Sequence, residues 1–168
     1  YVLPILELLG KNIFYVGEEI GQGQIVKLLN NLLSGTAVAI TSEAVVFGQK
    51  AGIDPEVLIT IFNASSGRNT ATTDKFPKSV LPRTFDYGFT TELMYKDLKL
   101  CMELAENNRV PMFLGSSVMQ LWKYVVTKGG EKRDFTTIIQ YLEDMVDIPN
   151  EMNRKKNEEQ NVNSKIGD

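Results

Sequence analysis

Histidine is absent from the 168 residues of the sequence. The chain therefore lacks the most common general base and the most common transition-metal ligand of proteins. Any acid–base chemistry has to come from lysine, aspartate, glutamate, tyrosine or cysteine, and we expect no bound metal. Cysteine is scarce as well: Cys101 is the only one, so an internal disulfide is impossible and a reducing compartment is favoured.

Clustered positive charge and long apolar runs are also missing. The formal net charge is −3 and Lys and Arg are spread along the chain, whereas nucleic acids and anionic membranes favour a clustered basic surface. The longest apolar runs, such as residues 38–40 and 110–114, are far shorter than the roughly 20 residues of a membrane-spanning helix. We expect a soluble protein of the cytoplasm or the mitochondrial matrix, with no nucleic-acid or membrane partner.

The first 16 residues differ in pattern from the rest. Tyr1 begins directly in amphipathic sequence, with neither a starting Met nor the pattern of a signal peptide, which indicates a fragment. Residues 3–9 predict a short helix, and residues 12–16 predict an apolar strand. A helix followed by a strand is typical of the last unit of an α/β domain, so we expect residues 1–16 to be the end of a truncated domain of that class.

Residues 23–50 predict one helix of unusual length. Apolar side chains recur there at helical spacing and no proline interrupts them. At 1.5 Å per residue such a helix is roughly 40 Å long, which is more than a domain of this size needs across its own core. We therefore expect it also to contact a partner, as in a homo-oligomer (a dimer or tetramer).

Shorter helices are predicted after the long one. Asp54, followed by a proline, can cap the first of them; Thr90 or Thr91 can cap another, and Asp134 the last. Residues 77–90 contain two prolines and a glycine and predict a long irregular crossing, of a length that is often functional.

Together these elements predict an all-α fold, a helical bundle built around one long N-terminal helix, with a short α/β remnant at the start. Residues 17–147 would form the helical domain. After Pro149 the sequence turns to Asn, Lys, Glu and Gln with few aliphatic residues, so we expect residues 148–168 to be a charged, disordered tail.

The sharpest local motif begins at Gly21-x-Gly23 and continues to Lys27 and Asn31. It is not a dinucleotide fingerprint, because Val26 replaces the third small residue and no second strand follows. Positions i and i+4 share one face of a helix, so Lys27 and Asn31 point the same way. The glycines can let a molecule approach the start of the helix, although a glycine-rich helix start and an exposed lysine are also ordinary features of a protein surface.

Two weaker candidates lie further along the chain. Lys96 and Asp97 are adjacent within a predicted helix and so cannot form the favourable i to i+4 ion pair, and a solvated helix edge would explain them as well. Residues 65–68, Ser-Ser-Gly-Arg, predict a turn that could bind an anion.

Taken together, these motifs resemble the C-terminal domain of the β-hydroxyacid dehydrogenase family, and its 3-hydroxyisobutyrate dehydrogenase branch in particular. The resemblance follows the order of the motifs over roughly residues 15–143. The segments that carry it are Gly21-x-Gly23-x-x-x-Lys27-x-x-x-Asn31, Ser42-Glu43-Ala44, Gly52-Ile53-Asp54-Pro55, Ser65-Ser66-Gly67-Arg68, Gly88-Phe89, Lys96-Asp97-Leu98 and Asp134-Phe135-Thr136.

The resemblance implies a fold like the C-terminal domain of 6-phosphogluconate dehydrogenase. It also implies a function in the NAD- or NADP-dependent oxidation of 3-hydroxyisobutyrate to methylmalonate semialdehyde, a step of valine catabolism. Lys27 would be the catalytic acid–base group, Asn31 and Gly23 would bind the substrate, and Lys96 and Phe89 would lie by the cofactor.

In this family an N-terminal Rossmann domain carries the glycine-rich cofactor motif and a Ser-Gly-Gly substrate loop, and the sequence contains neither. The resemblance therefore implies that residues 1–16 are the end of that domain and that NAD or NADP is bound mainly outside this chain. We expect the 168 residues alone to have no dehydrogenase activity.

Two alternatives stay open. Within the family, the enzyme could be a reductase of tartronate, glyoxylate or succinic semialdehyde. In another class, the chain could be a non-catalytic helical domain that binds a protein partner through its long helix and its loops. Binding of a nicotinamide cofactor would distinguish the two classes.

Overall fold

The computed structural model describes residues 2–150, and all the regular secondary structure within them is helical. Two short π-helical segments, Ala71–Val80 and Val126–Gly130, and a 3-10 turn, Phe135–Thr137, lie between the longer helices. The α-helices are α1 (Leu3–Leu9), α2 (Gln22–Lys50), α3 (Pro55–Ala64), α4 (Thr91–Asn107), α5 (Phe113–Val125) and α6 (Ile138–Met145).

Helix α2 is the centre of the bundle and packs against α3, α4, α5 and α6. Its inward face is buried along most of its length, and Trp122, Phe76 and Phe135 are the largest fully buried side chains around it. Burial of this apolar surface is the main force that holds the helices together. The predicted helix at residues 23–50 is confirmed to within one residue.

Gly35 lets α2 approach α4 closely. A Cβ atom placed on Gly35 would lie 2.8 Å from Sδ of Met94 and 3.4 Å from atoms of Leu98 and Trp122. Any side chain at this position would therefore push the two helices apart or displace their packed neighbours. The crossing matters because the residues discussed below lie on the facing sides of α2 and α4.

The starts of the helices follow the caps that the sequence predicts. The Asp54 side chain accepts hydrogen bonds from the backbone N–H groups of Glu56 and Val57, and that of Asp134 accepts one from Thr136 N–H. Thr90, rather than Thr91, caps α4. Gly21 precedes α2 with a φ of 98°, a left-handed conformation that glycine adopts without a steric penalty.

The predicted strand at residues 12–16 is wrong for this chain. These residues are exposed and have no regular secondary structure, and residues 2–150 contain no strand with which they could pair. A strand needs a neighbouring strand for its backbone hydrogen bonds, and an apolar, β-prone sequence cannot supply that neighbour.

The predicted irregular crossing at residues 77–90 is also partly wrong, because the π-helical segment continues to Val80. Pro77 lies inside it and has no N–H to donate, so the α-helical hydrogen bond is lost there. The wider π-helical turn accommodates the proline, so the helical segment continues past it. Leu81 N–H then donates to Phe76 O at 2.9 Å. The irregular part of the crossing is residues 81–90.

The predicted disordered tail is wrong for its first three residues, 148–150. Ile148 N–H donates to Glu143 O at 2.9 Å, and Asn150 is buried, with its side-chain amide donating to Gln140 O at 3.0 Å. Residues 148–150 are therefore packed against α6. The remainder of the predicted tail, residues 151–168, lies outside the described part of the chain.

Helix α2 is long and apolar enough to cross a membrane, although the uninterrupted apolar runs of the sequence are too short to predict a membrane span. Half of its most apolar stretch is buried inside the bundle. The core helix of a folded domain can be equally long and apolar, and α2 is the central helix of this bundle.

Candidate active site

Lys27 and Asn31 meet on one carboxylate of α4. Nζ of Lys27 donates a hydrogen bond to Oδ2 of Asp97 at 2.5 Å, and Nδ2 of Asn31 donates to the same oxygen at 2.6 Å. The two donors lie one helical turn apart on the face of α2 that looks toward α4. The pair forms across 70 positions of sequence, so only the packing of the two helices brings the groups together.

Asp97 is the buried member of this cluster. Its side chain is 2% exposed, whereas that of Lys27 is 46% exposed. Oδ1 of Asp97 accepts no hydrogen bond from the described residues, and Nζ of Lys96 lies 3.8 Å away from it. The buried carboxylate thus holds the Lys27 amine in place from below and leaves its outer side open to a ligand.

Asp97 joins the candidate site in the structure, and the sequence alone assigns it no role. A signal was present: Met94, Leu98 and Cys101 mark the buried face of α4, and Asp97 falls on the same face. An acidic side chain at a core position requires a buried partner, because an isolated charge is costly to bury.

The other expected site residues are placed less tightly. Lys96 is exposed and reaches only the edge of the Asp97 carboxylate. Gly23 lies in the first turn of α2, one turn before Lys27, and is exposed. Among the described residues, a Cβ atom on Gly23 would meet only the side chain of Val16, at 4.0 Å. Its open surface leaves room for a ligand or for another part of the protein.

Phe89 is held by the segment that precedes the 3-10 turn. Oδ2 of Asp134 accepts hydrogen bonds from the backbone N–H groups of Gly88 at 2.7 Å and Phe89 at 3.3 Å. Phe135 N–H donates to Phe89 O at 2.8 Å, and the two rings meet edge to face with centroids 5.9 Å apart. Asp134 therefore fixes the loop that carries Phe89 as well as capping the turn behind it.

A cavity of about 330 Å³ adjoins the cluster. Its walls are mostly aromatic and apolar, with a few polar groups, as is typical of a site for a small molecule. The lining residues are Asn31, Ser34, Lys75, Tyr87, Gly88, Phe89, Met94 and Phe135. Asn31 belongs both to the cavity and to the Asp97 cluster, so the two are parts of one site.

Two titratable groups of this cavity have shifted pKa values. Burial lowers the pKa of Lys75, because a desolvated ammonium is less stable than a neutral amine. The pKa of Tyr87 is raised to about 12, first because its hydroxyl donates a hydrogen bond to Asp74. Neither residue is predicted as a site residue from the sequence. Tyr87 lies within the predicted irregular crossing at residues 77–90, and Lys75 lies just before it.

The arrangement can handle a proton at one defined atom. Lys27 carries an amine whose position is set by Asp97, and a lysine amine can donate or accept a proton where no histidine is present. A charged Lys27 would also stabilise negative charge that develops on a substrate oxygen. Asn31 can orient the substrate with the amide atoms that it does not use on Asp97.

The described residues fit only one edge of a dinucleotide cofactor. Residues 2–150 contain no strand and hence no βαβ unit of the kind that holds the pyrophosphate, whereas Lys96 and Phe89 could meet the reactive end. In the same range no group of three His, Cys, Asp or Glu side chains could hold a metal ion.

Comparison with known proteins identifies the family. The family model described as the NAD-binding domain of NADP-dependent 3-hydroxyisobutyrate dehydrogenase matches residues 21–142. The chain belongs to the 3-hydroxyisobutyrate dehydrogenase family. Lys27, Asn31, Phe89, Lys96 and Asp97 all lie within the matched segment. This supports the resemblance drawn from the sequence motifs at the level of the family.

Individual relatives agree with the assignment. The mitochondrial 3-hydroxyisobutyrate dehydrogenase of Mus musculus is 38% identical over 144 residues, which cover 82% of this chain and 43% of that protein. The 2-(hydroxymethyl)glutarate dehydrogenase of Eubacterium barkeri is 34% identical over 147 residues, covering 88% and 48%. This chain thus spans less than half the length of these family members.

A solved structure from the family shows the same fold. The 3-hydroxyisobutyrate dehydrogenase of Mycobacterium tuberculosis, solved with L-serine, superposes with a TM-score of 0.76 at 27% identity, over 84% of this chain and 50% of that one. Relatives of this chain are therefore oxidoreductases that act on small hydroxy acids.

Proposed function

We propose that this chain is the C-terminal helical domain of an NAD(P)-dependent 3-hydroxyacid dehydrogenase that oxidises 3-hydroxyisobutyrate to methylmalonate semialdehyde. The observation that carries the proposal is the cluster of Lys27 and Asn31 on the buried carboxylate of Asp97, next to a cavity of small-molecule size. Family membership supports the reaction class, and the names of the relatives supply the substrate class.

In this proposal Lys27 is the acid–base group. A bound nicotinamide would supply the acceptor for the hydride of the carbinol carbon, and Lys96 and Phe89 are the residues of this chain that would lie beside it. Lys27 receives the proton of the hydroxyl at Nζ and returns it when the reaction runs toward the alcohol. Asp97 keeps Nζ at the required position, and Asn31 orients the substrate beside it. Positioning of this kind lowers the activation barrier because the reacting groups no longer have to find each other.

Exposed apolar surface supports the proposal that the chain is one domain of a larger enzyme. Residues 2–16 are exposed although many of them are apolar, and Phe14 and Tyr15 are both 80% exposed. A separate hollow of about 390 Å³ between the start of α2 and the end of α4 has almost entirely apolar walls, including Ile25, Leu29 and Leu104. Contiguous apolar surface of this extent is typical of an interface with another domain. A nucleotide-binding domain is the partner that the proposed reaction needs.

The outward face of α2 supports a homo-oligomer. Four apolar side chains recur there every seven residues and are largely exposed: Val26 (49%), Leu33 (72%), Ile40 (54%) and Phe47 (77%). A seven-residue repeat places these side chains along one stripe of a helix, where they can pack against a second helix. We propose that this stripe contacts a second copy of the chain. The location would be the cytoplasm or the mitochondrial matrix, the latter being where the names of several relatives point.

The decisive experiment is a dehydrogenase assay of the full-length protein that carries this chain. Reduction of NAD and of NADP would be followed by the absorbance of the reduced nicotinamide with 3-hydroxyisobutyrate, 2-(hydroxymethyl)glutarate and L-serine as substrates. In the reverse direction, oxidation of NADH and of NADPH would be followed with tartronate semialdehyde, glyoxylate and succinic semialdehyde. We expect the highest kcat/KM with 3-hydroxyisobutyrate, and no turnover by residues 1–168 alone. Absence of both turnover and cofactor binding would favour a non-catalytic interaction domain.

A further inference from the structure

Lys75 is a buried cation without an acidic partner. The residue is 8% exposed, and its Nζ forms no ion pair with a carboxylate of the described residues. The adjacent Asp74 is engaged elsewhere: one oxygen contacts Nζ of Lys78 at 2.5 Å and the other accepts from the Tyr87 hydroxyl. Burial without a partner is unusual for lysine, because the charged form loses its hydration.

The Lys75 side chain lies in the wall of the cavity beside the Lys27 site. Its Nζ sits 5.5 Å from the centre of the Tyr87 ring, and Tyr87 lines the same cavity. Asn31, which shares the Asp97 carboxylate with Lys27, lines that cavity as well. A molecule that fills the cavity would therefore touch Asn31 of the cluster and the Lys75 side chain at once.

We propose that Lys75 binds a carboxylate of the substrate while Lys27 handles its hydroxyl. The inference rests on the proposed function, and it adds the residue that makes the enzyme specific for acids rather than for neutral alcohols. A carboxylate would give Lys75 a direct ion pair, which no residue within 2–150 provides. Hydrogen bonds between an ammonium and a carboxylate are strong where water is excluded, and the other walls of this cavity are largely apolar.

The contact between Lys75 and Tyr87 has a purely structural interpretation too. In that case the ammonium would be stabilised by the face of the ring alone, and its loss would change stability without changing the choice of substrate. The two interpretations differ in one measurable quantity, which is the preference for a carboxylate over a neutral group of the same shape.

The test uses the full-length protein with Lys75→Met, which keeps most of the length of the side chain and removes its charge. We would measure kcat/KM for 3-hydroxyisobutyrate and for its primary amide. The variant should lose roughly 10- to 100-fold with the acid, mainly through a higher KM, and change little with the amide. Lys99→Met removes the same charge from an exposed position of α4 and should leave both values unchanged.

A second measurement is independent of turnover. Isothermal calorimetry would compare the binding of isobutyrate and isobutyramide, which lack the reacting hydroxyl, to the wild-type protein and to Lys75→Met. We expect wild-type protein to prefer isobutyrate and the variant to lose that preference. Equal preference in the two proteins, or no binding of isobutyrate by either, overturns the role of Lys75. Failure of every hydroxy acid in the assay would instead overturn the proposed reaction while this binding comparison still decides on Lys75.

Discussion

At the scale of single residues, the buried Asp97 carboxylate determines how the site is built. One of its oxygens accepts hydrogen bonds from both Lys27 and Asn31, so it fixes two functional groups with a single side chain. Removing one partner of a buried charged pair is costly, because the remaining group loses its only compensation. Lys27 is half-exposed and can turn to solvent, whereas the buried side chain of Asp97 cannot reach solvent.

Asp97→Asn should therefore lower kcat by up to roughly 100-fold, since a displacement of the acid–base group of about 1 Å is enough for such a loss. KM should change much less, because Asp97 lies behind Lys27 and Asn31. Steady-state kinetics of the full-length protein would measure both. Glu103→Gln removes an exposed carboxylate from the same helix and is the matched control. A kcat that is unchanged in Asp97→Asn would show that Lys27 needs no anchor.

Tyr87 offers a spectroscopic test of the cavity wall. Its pKa is raised to about 12 by the hydrogen bond to Asp74, by burial and by the nearby negative charge. A folded-state pKa above the unfolded value of about 10 means that this stabilisation is complete below pH ~10 and is lost as the pH rises toward 12.

Absorbance titration of tyrosinate in wild-type protein and in Tyr87→Phe would isolate this group by difference. Asp74→Asn should move the difference titration back toward pH ~10. If the Tyr87 signal already titrated near pH ~10 in the wild-type protein, the hydrogen bond to Asp74 would not be formed in solution.

At the scale of the helices, the crossing of α2 and α4 depends on the small residue at its centre. Gly35 leaves no room for a side chain beneath Met94, Leu98 and Trp122. Lys27 and Asn31 precede Gly35 on α2, and Asp97 lies between Met94 and Leu98 on α4. The spacing of the two helices therefore also sets the geometry of the site.

Gly35→Val should lower the free energy of unfolding by about 1–3 kcal/mol, the usual cost of forcing extra atoms into a packed core. Urea denaturation would measure the change. Lys99→Val introduces the same β-branched side chain at an exposed position of α4 and should cost only a few tenths of a kcal/mol. An equally small cost for Gly35→Val would mean that α2 and α4 are less tightly packed than the structure indicates.

Local chemistry explains why some elements could be predicted from the sequence and others could not. The caps at Asp54, Thr90 and Asp134 act through hydrogen bonds within a few residues, so the helix starts follow from short segments of sequence. The strand expected at residues 12–16 depends on a partner elsewhere, and Pro77, which contributes to the predicted irregular crossing, is accommodated by a π-helical turn. The cavity wall around Lys75 is inaccessible to sequence reasoning because its members come from separate elements.

The same distinction applies to the site. Lys27 and Asn31 share a helix face, and their spacing alone places them together. Asp97 joins them through a contact 70 positions away, which no periodicity reports. The family resemblance implies the roles of Lys27, Asn31 and Lys96. The structure adds Asp97, whose carboxylate holds Lys27 and Asn31.

At the scale of the whole molecule, two of the apolar surfaces that the bundle leaves uncovered bear on its assembly. One comprises residues 2–16 with the hollow near the start of α2, and the other is the stripe of Val26, Leu33, Ile40 and Phe47. We assign the first to a nucleotide-binding domain and the second to another copy of the chain.

Leu33→Glu should convert an oligomer to a monomer, because it places a charge in the middle of the stripe, where burial without a partner is unfavourable. Light scattering at low protein concentration would report the mass. Ser117→Glu adds the same charge to the exposed face of α5 and should leave the assembly intact. A wild-type protein that is already monomeric would rule out the assigned role of the stripe.

The central claim is that Lys27 is the acid–base group of a hydroxyacid dehydrogenase, and kcat of Lys27→Ala in the full-length protein tests it most directly. The account predicts that kcat and kcat/KM fall together by roughly 10²- to 10⁴-fold, with cofactor affinity and thermal stability nearly unchanged. Lys27→Arg should recover little, because guanidinium keeps its proton. A near-normal kcat in Lys27→Ala would contradict the assignment and would reduce the contact between Lys27 and Asp97 to a structural ion pair.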